Sequence, residues 1–140
     1  MLKNFLVAVA LFFLAATPLA AQQAVPLSYQ SESGAPAGTL VAGAKRTMIK
    51  SLLSINTTGT LYYLKFYNTN VAPTCGAGTP SWVVPVPFGS GNAGGGVALA
   101  VPDGLAFPNG LGFCLTGGIA NNDTTPAATG VIINLGVSNY

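Results

Sequence analysis

The sequence predicts an all-β domain, a two-layer antiparallel β-sandwich of jelly-roll or Ig-like type with seven or eight short strands. Three observations favour this class: apolar residues alternate with period two, Gly and Pro interrupt the apolar stretches at short intervals, and no stretch after the N-terminal segment has the periodicity of an amphipathic helix. Each alternating strand has one apolar face, which a second layer must cover. With 140 residues, half of them hydrophobic, the chain can build one core.

The N-terminal segment is typical of a secretory signal peptide. Lys3 supplies the positive charge, and residues 5–16 form an unbroken apolar run that ends before Pro18. This run is shorter than the about 20 residues that a membrane-spanning helix needs. We expect cleavage after Ala21 and export to the periplasm or the medium, with an uncleaved interfacial anchor as the alternative. The predicted organisation is a signal peptide (1–21), a lead-in with a possible first strand at 27–32 (22–44), and the sandwich (45–140).

Two strands are predicted in the first half of the sandwich. In the first, Met48 and Leu52 make one side partly apolar, and alternate residues share the other side: Thr47, Ile49, Ser51, Leu53 and Ile55. In the second, Tyr62, Leu64 and Phe66 share the face that we assign to the core, while Tyr63, Lys65 and Tyr67 share the other face. The charge of Lys65 predicts that this other face is the solvated one.

Residues 81–88 predict an edge strand. Its core face is formed by Trp82, Val84, Val86 and Phe88. Pro85 and Pro87 remove N–H donors from the same side of the strand, which is tolerated where no neighbouring strand lies on that side.

The remaining strands follow from alternation and turn residues. Turns are predicted at Pro102-Asp103-Gly104 and Pro108-Asn109-Gly110, and a polar loop over 120–129. Val97, Leu99 and Val101 are an inward set, and Leu105 and Phe107 form a short apolar piece. The apolar faces of the last two strands are Leu111, Phe113 and Leu115, and then Val131, Ile133, Leu135 and Val137.

The charged residues exclude most catalytic classes. Five basic and three acidic residues, with no histidine, leave no imidazole base and too few carboxylates for a metal cage. We therefore expect no enzyme, no catalytic residue, no metal and no cofactor. Without a basic patch we expect no nucleic-acid partner, and no membrane partner once the leader is removed. The glycine-rich stretch 89–96 lacks the following helix and the lysine of a phosphate-binding loop.

The chain has two cysteines, Cys75 and Cys114, and it is expected to be exported. In an oxidising compartment such a pair predicts a disulfide, with two free buried thiols as the alternative. Cys114 is out of phase with Phe113 and Leu115, so it should point away from the core towards a covering loop.

Two further groups of side chains are candidates for binding. Tyr63, Tyr67 and Tyr140 are a possible binding surface for a glycan or a protein, and the alternative is aromatic pairing for stability alone. Asp123, between Asn122 and Thr124, offers oxygens to a calcium ion, although a turn closed on its own backbone is the simpler interpretation.

Two blocks of the sequence resemble a known group of proteins. They are 61–68 (LYYLKFYN) with Ala72-Pro73-Thr74, Gly76 and a Thr-Pro before an apolar strand, and the C-terminal series of 104–107 (GLAF), 110–113 (GLGF), 115–116 (LT), Gly118, Ala120, Asp123, Thr125 and 134–136 (NLG). Over about 45–136 the chain is similar to small uncharacterised β-sandwich virion or virion-associated proteins of tailed phages and prophages. The export leader and the two cysteines depart from that pattern.

The resemblance implies a non-enzymatic structural or interaction module of phage type. It would be exported and would dock on a protein assembly, form a homo-oligomer or be displayed outside the cell, with the virion as an alternative location. The second expectation is a secreted bacterial domain that binds carbohydrate or a partner protein through the tyrosines.

Overall fold

The structure, a computed structural model, describes residues 25–31, 38–89 and 93–140. The predicted signal peptide and its cleavage site lie outside the described residues, as does part of the glycine-rich stretch. The described residues contain eight β-strands and no helix, which confirms the all-β class. The strands are β1 (Val25–Gln30), β2 (Thr39–Gly43), β3 (Thr47–Asn56), β4 (Tyr62–Asn68), β5 (Trp82–Val86), β6 (Gly95–Phe107), β7 (Gly110–Thr116) and β8 (Val131–Asn139).

The strands form two antiparallel sheets of four. Sheet 1 has the order β1-β8-β3-β6, and sheet 2 has the order β2-β7-β4-β5. Apart from the neighbours β4 and β5, each strand is followed in the chain by a strand of the other sheet. This is the connectivity of an eight-stranded jelly roll. In Ig-like sandwiches, consecutive strands more often share a sheet, so the strand order decides between the two expected types.

The core lies between the sheets. The predicted inward faces of β4, β7 and β8 are confirmed, because their apolar side chains are almost completely buried. Phe66 stacks on Trp82 with ring centroids 5.2 Å apart, and Tyr29 meets Phe113 edge-on at 5.0 Å. β5 is an edge strand, as its prolines predict.

A β-bulge in β3 changes which of its residues face the core. The pairing register shifts between Ile49 and Ser51 against both neighbouring strands. One extra residue in a period-two pattern moves every later side chain to the opposite face. Leu52 is therefore buried, whereas Leu53 and Ile55 are 45% and 36% exposed. The prediction that Leu53 and Ile55 lie on the same side as Thr47 and Ile49 was wrong.

Two other predictions are corrected in the same half of the molecule. The turn expected at Pro102-Asp103-Gly104 is an irregular part of the continuous strand β6, where several residues lie opposite Lys50 of β3. Phe88, assigned to the core, is exposed because β5 ends at Val86.

The stretch 22–44, expected as a lead-in with one possible strand, supplies two strands of the sandwich. β1 pairs with β8 at an edge of sheet 1, and β2 pairs with β7 at an edge of sheet 2. β1 begins and ends two residues earlier than the strand expected at 27–32.

Candidate functional site

The outer face of sheet 2 is covered by two loops. The β4–β5 loop (69–81) carries Cys75, which forms a disulfide with Cys114 of β7, and their Cα atoms are 5.7 Å apart. Cys114 points away from the core, as its phase predicts, and packs with Cys75 and Tyr67 in a small buried cluster. The predicted disulfide is confirmed, and it fastens this loop to the middle of the sheet.

The second cover is the β7–β8 loop (117–130), which meets the first loop at Gly76. Gly76 has a φ of +83°, and a Cβ at this position would contact the side chain of Thr124 and lie 3.2 Å from the carbonyl oxygen of Asn122. A side chain larger than hydrogen would force the two loops apart.

Lys65 lies beneath this cover and is fully buried, so the prediction that it marks the solvated face was wrong. Its Nζ donates a hydrogen bond to the carbonyl oxygen of Ala120 at 2.6 Å. Burial lowers the pKa of Lys65, and the nearby charge of Asp123 partly offsets this shift. The lysine thus holds the β7–β8 loop against β4 from below.

Asp123 organises the same loop from within. Its Oδ2 accepts the N–H of Gly118 at 2.7 Å, and its Oδ1 accepts the hydroxyl of Thr125 at 2.8 Å. Burial acts to raise the pKa of Asp123, but these hydrogen bonds and the charge of Lys65 hold it below its usual value. Both oxygens thus accept from the loop's own donors, as expected for a turn. Within the described ranges, no three His, Cys, Asp or Glu residues are grouped as metal ligands.

The three tyrosines do not form one surface. Tyr67 is buried under the disulfide loop, which corrects its expected place on an exposed face, and burial raises the pKa of its hydroxyl. Tyr63 is half-buried on β4 between β5 and β7. Tyr140 follows β8 in sheet 1, is 39% exposed, and has the guanidinium of Arg46 4.7 Å from its ring centroid.

No described loop covers the outer face of sheet 1, and three rows of side chains cross its four strands. Because the rows follow the pairing registers, they run Gln30-Ile132-Ile55-Gly96, Ser28-Asn134-Leu53-Ala98 and Pro26-Gly136-Ser51-Ala100. None of these twelve residues is charged, and Leu53 and Ile55 are the large apolar residues among them that are most exposed. This open face is the candidate functional surface.

This surface was not predicted from the sequence, because unbroken alternation puts Leu53 and Ile55 on the same side of the strand as Thr47 and Ile49. The available signal was Leu52, which together with Met48 makes the other side of the strand partly apolar. An apolar residue out of phase within a long strand is a sign of a bulge.

Comparison with protein-family models, curated proteins and solved structures finds no match to this chain. Among the described residues, no helix is long and apolar enough to cross a membrane.

Proposed function

We propose that the protein is a non-enzymatic structural module of phage type, exported and docked on a protein assembly or displayed outside the cell. The observation that carries the proposal is the patch of three uncharged rows on the outer face of sheet 1, with Leu53 and Ile55 exposed at its centre. Contiguous exposed apolar surface on a small domain commonly marks an interaction site. Ser, Asn and Gln beside these residues supply hydrogen bonds without the desolvation cost of a charge.

The shape of this face suits a protein partner better than a small molecule. Gly96, Gly136, Ala98 and Ala100 keep the rows low, so that a flat surface can approach the sheet closely. A small ligand is normally held in a concave pocket. The jelly-roll connectivity is shared by viral capsid domains and lectins. The resemblance of 45–136 to tailed-phage proteins favours the structural role among these, since fold alone does not decide function.

The distribution of acidic residues supports a role without catalysis. Asp103 lies in the irregular part of β6 in sheet 1, whereas Asp123 lies over sheet 2 with both oxygens hydrogen-bonded. No histidine is present to act as a base beside either of them. General acid-base and nucleophilic catalysis need such pairs within hydrogen-bond reach.

The test measures whether the protein from producing cells sediments with a larger assembly or stays in the free exported fraction. Wild-type protein should sediment with a larger assembly, and Leu53→Lys should release it into the free exported fraction. Ile119→Lys is the matched control, because Ile119 is an exposed apolar residue of the β7–β8 loop over sheet 2. Wild-type protein found free, or a Leu53→Lys variant that still sediments, would overturn the proposal. The same fractions test export, since the mature chain should begin at Gln22 by N-terminal sequencing.

A secreted carbohydrate-binding domain is the second candidate, favoured by the exposed ring of Tyr140. Tyrosine rings stack on sugars through their apolar faces. On a glycan array this function predicts binding that Tyr140→Ala abolishes and Leu53→Lys leaves unchanged. The structural role predicts no glycan signal from either variant or from the wild type.

A further inference from the structure

The four sheet edges differ in how they are protected against pairing with another chain. β5 contains Pro85 and β1 contains Pro26, while β2 has only five residues and a register shift. Prolines, bulges and short length are the usual means of blocking an edge. β6 is the longest of the described strands. Its stretch 97–101 contains no proline and no charge, and its register against β3 is regular from Val97 to Ala100.

Among the described strands, none pairs with the outer edge of this stretch. The N–H and the carbonyl oxygen of Val97 both point to β3, where they hydrogen-bond to the hydroxyl of Ser54 at 3.1 Å and 3.5 Å. Successive residues of a strand direct their backbone groups to opposite sides. Leu99 therefore also faces β3, and Ala98 and Ala100 direct their N–H and carbonyl groups away from sheet 1.

The stretch reads the same in both directions: Val97-Ala98-Leu99-Ala100-Val101. In an antiparallel pair of identical strands centred on Leu99, Ala98 of each copy lies opposite Ala100 of the other, and Val97 lies opposite Val101. The backbone N–H and carbonyl groups of Ala98 and Ala100 point outward. Ala98 of each copy therefore forms a hydrogen-bonded pair with Ala100 of the other copy, and each N–H donates to the carbonyl oxygen opposite. The register that matches the side chains is thus also the register that satisfies the backbone.

We propose that the partner at this edge is a second copy of the chain. The two β6 strands pair antiparallel about a two-fold axis through Leu99, and the two copies of sheet 1 become one continuous sheet. Such an interface is isologous, because the same residues contribute from both copies. The pairing uses the outward backbone groups at the edge of sheet 1, whereas the proposed docking uses the outer face around Leu53 and Ile55. Ala98 and Ala100 belong to both surfaces, but Leu53 and Ile55 belong to the docking face alone.

Side chains on both faces fit this pairing. On the inner face, Val97, Leu99 and Val101 are only partly buried within one copy, and the partner strand would cover part of what remains exposed. On the outer face, alanine at 98 and 100 keeps the joined surface flat. Without a charge in the stretch, the two-fold pairing brings no like charges together.

The paired segment is bounded at both ends. Pro102 cannot donate to a partner strand, and the register shift of β6 begins beyond Ala100. At the other end, Gly95 lies against the backbone of Pro87 and Phe88. A pair this short buries less than the about 800 Å² per partner of a standard stable interface, so the dimer should be concentration-dependent.

The test measures the mass of the purified, disulfide-bonded protein by sedimentation over a concentration series that ends at its solubility limit. Wild-type protein should pass from monomer to dimer. Ala98→Lys with Ala100→Lys places lysines opposite each other across the axis, so this variant should remain monomeric. Ala98→Lys with Ala100→Glu is the matched control, because each lysine then faces a glutamate and the dimer should return.

Two further variants test whether dimerisation uses the β6 edge or another surface of the protein. Ala100→Pro removes an outward N–H without removing a bond to β3 and should also be monomeric, whereas Leu53→Lys should still dimerise. Near-UV circular dichroism checks that each variant is folded. Wild-type protein that is monomeric throughout would overturn the pairing and leave the proposed docking function standing. A dimer that persists in the double-lysine variant, or no recovery in the lysine-glutamate variant, would equally contradict it.

Discussion

The two outer faces of the sandwich are built from similar alternating strands, but one is covered by loops and the other exposes its side chains. Sheet 2 is covered by the β4–β5 and β7–β8 loops, and beneath them lie a disulfide and the fully buried Lys65. In the part of the chain that the structure describes, no loop covers sheet 1, and Leu53 and Ile55 are exposed. The charged residue is inside and the apolar residues are outside, the reverse of the usual pattern for an antiparallel sheet with one solvated face.

The difference shows that the polarity of a side chain does not by itself decide its exposure on an outer face. Lys65 is tolerated inside because the Ala120 carbonyl accepts its hydrogen bond and Asp123 supplies a nearby opposite charge. Leu53 stays outside because the bulge in β3 turns it away from the core. The disulfide and the buried lysine contact thus both lie on the covered face, while the other face exposes apolar side chains.

The largest expected effect on stability comes from removing the disulfide on the covered face. Replacing Cys75 and Cys114 together by alanine removes a cross-link between positions 39 residues apart. In the chain-entropy model this should lower the free energy of unfolding by about 4 kcal/mol, measured by guanidinium denaturation. Val71→Ala, at an exposed position of the same loop, should change it by less than about 0.5 kcal/mol. Equal stability of the double variant and the wild type would show that the loop does not depend on the disulfide.

The next prediction compares a lysine-to-methionine substitution on sheet 2 with the same substitution on sheet 1. Lys65→Met keeps the length of the side chain but leaves the Ala120 carbonyl without its donor, which should cost about 1 to 3 kcal/mol. Lys50→Met on β3 loses only a long, exposed contact to Pro102 and should be nearly neutral. Urea midpoints of both variants measure the contrast, and similar values would mean that Lys65 does not hold the loop.

Acid should weaken the covered face through Asp123. Its pKa is lower in the folded than in the unfolded chain, whose ordinary value is about 3.8, so the unfolded chain binds more protons in this range. The contribution of Asp123 is therefore present above about pH 4 and is lost as the pH falls through the folded pKa. Urea midpoints from neutral to acidic pH should show wild type above Asp123→Asn at neutral pH and the two converging in acid.

The matched control for this titration is Asp103→Asn, which removes a carboxylate from β6 without touching the β7–β8 loop. Because Asp123 and its hydrogen bonds are intact in this variant, its stability should still fall in acid. Wild-type and Asp123→Asn profiles that stay parallel into acid would contradict the role given to Asp123.

The smallest effect belongs to the open face and tests the bulge directly. Leu53→Ala should change the free energy of unfolding by less than about 0.5 kcal/mol, because its side chain already meets solvent. The neighbouring Leu52→Ala, in the core, should cost about 2 to 5 kcal/mol. Chemical denaturation of the pair decides the register, since a regular strand without the bulge would reverse the order.

Several features could be predicted from the sequence because they depend on neighbours in the chain. Alternation is enough to assign the core faces of β4, β7 and β8, and two prolines are enough to place β5 at an edge. The phase of Cys114 against Phe113 and Leu115, together with the expected compartment, predicts the disulfide and the side of β7 on which it lies. These are local properties of a period-two strand.

Other features were decided only by tertiary structure, because their causes are distant in the chain. Lys65 is buried by a loop some 55 positions later, and no local pattern around it records that cover. The change of face after Ile49 depends on pairing with β6 and β8. The jelly-roll connectivity, rather than an Ig-like one, follows from which strands cross between sheets. Alternation determines which residues share a face, but only the packing of remote segments determines whether that face meets solvent.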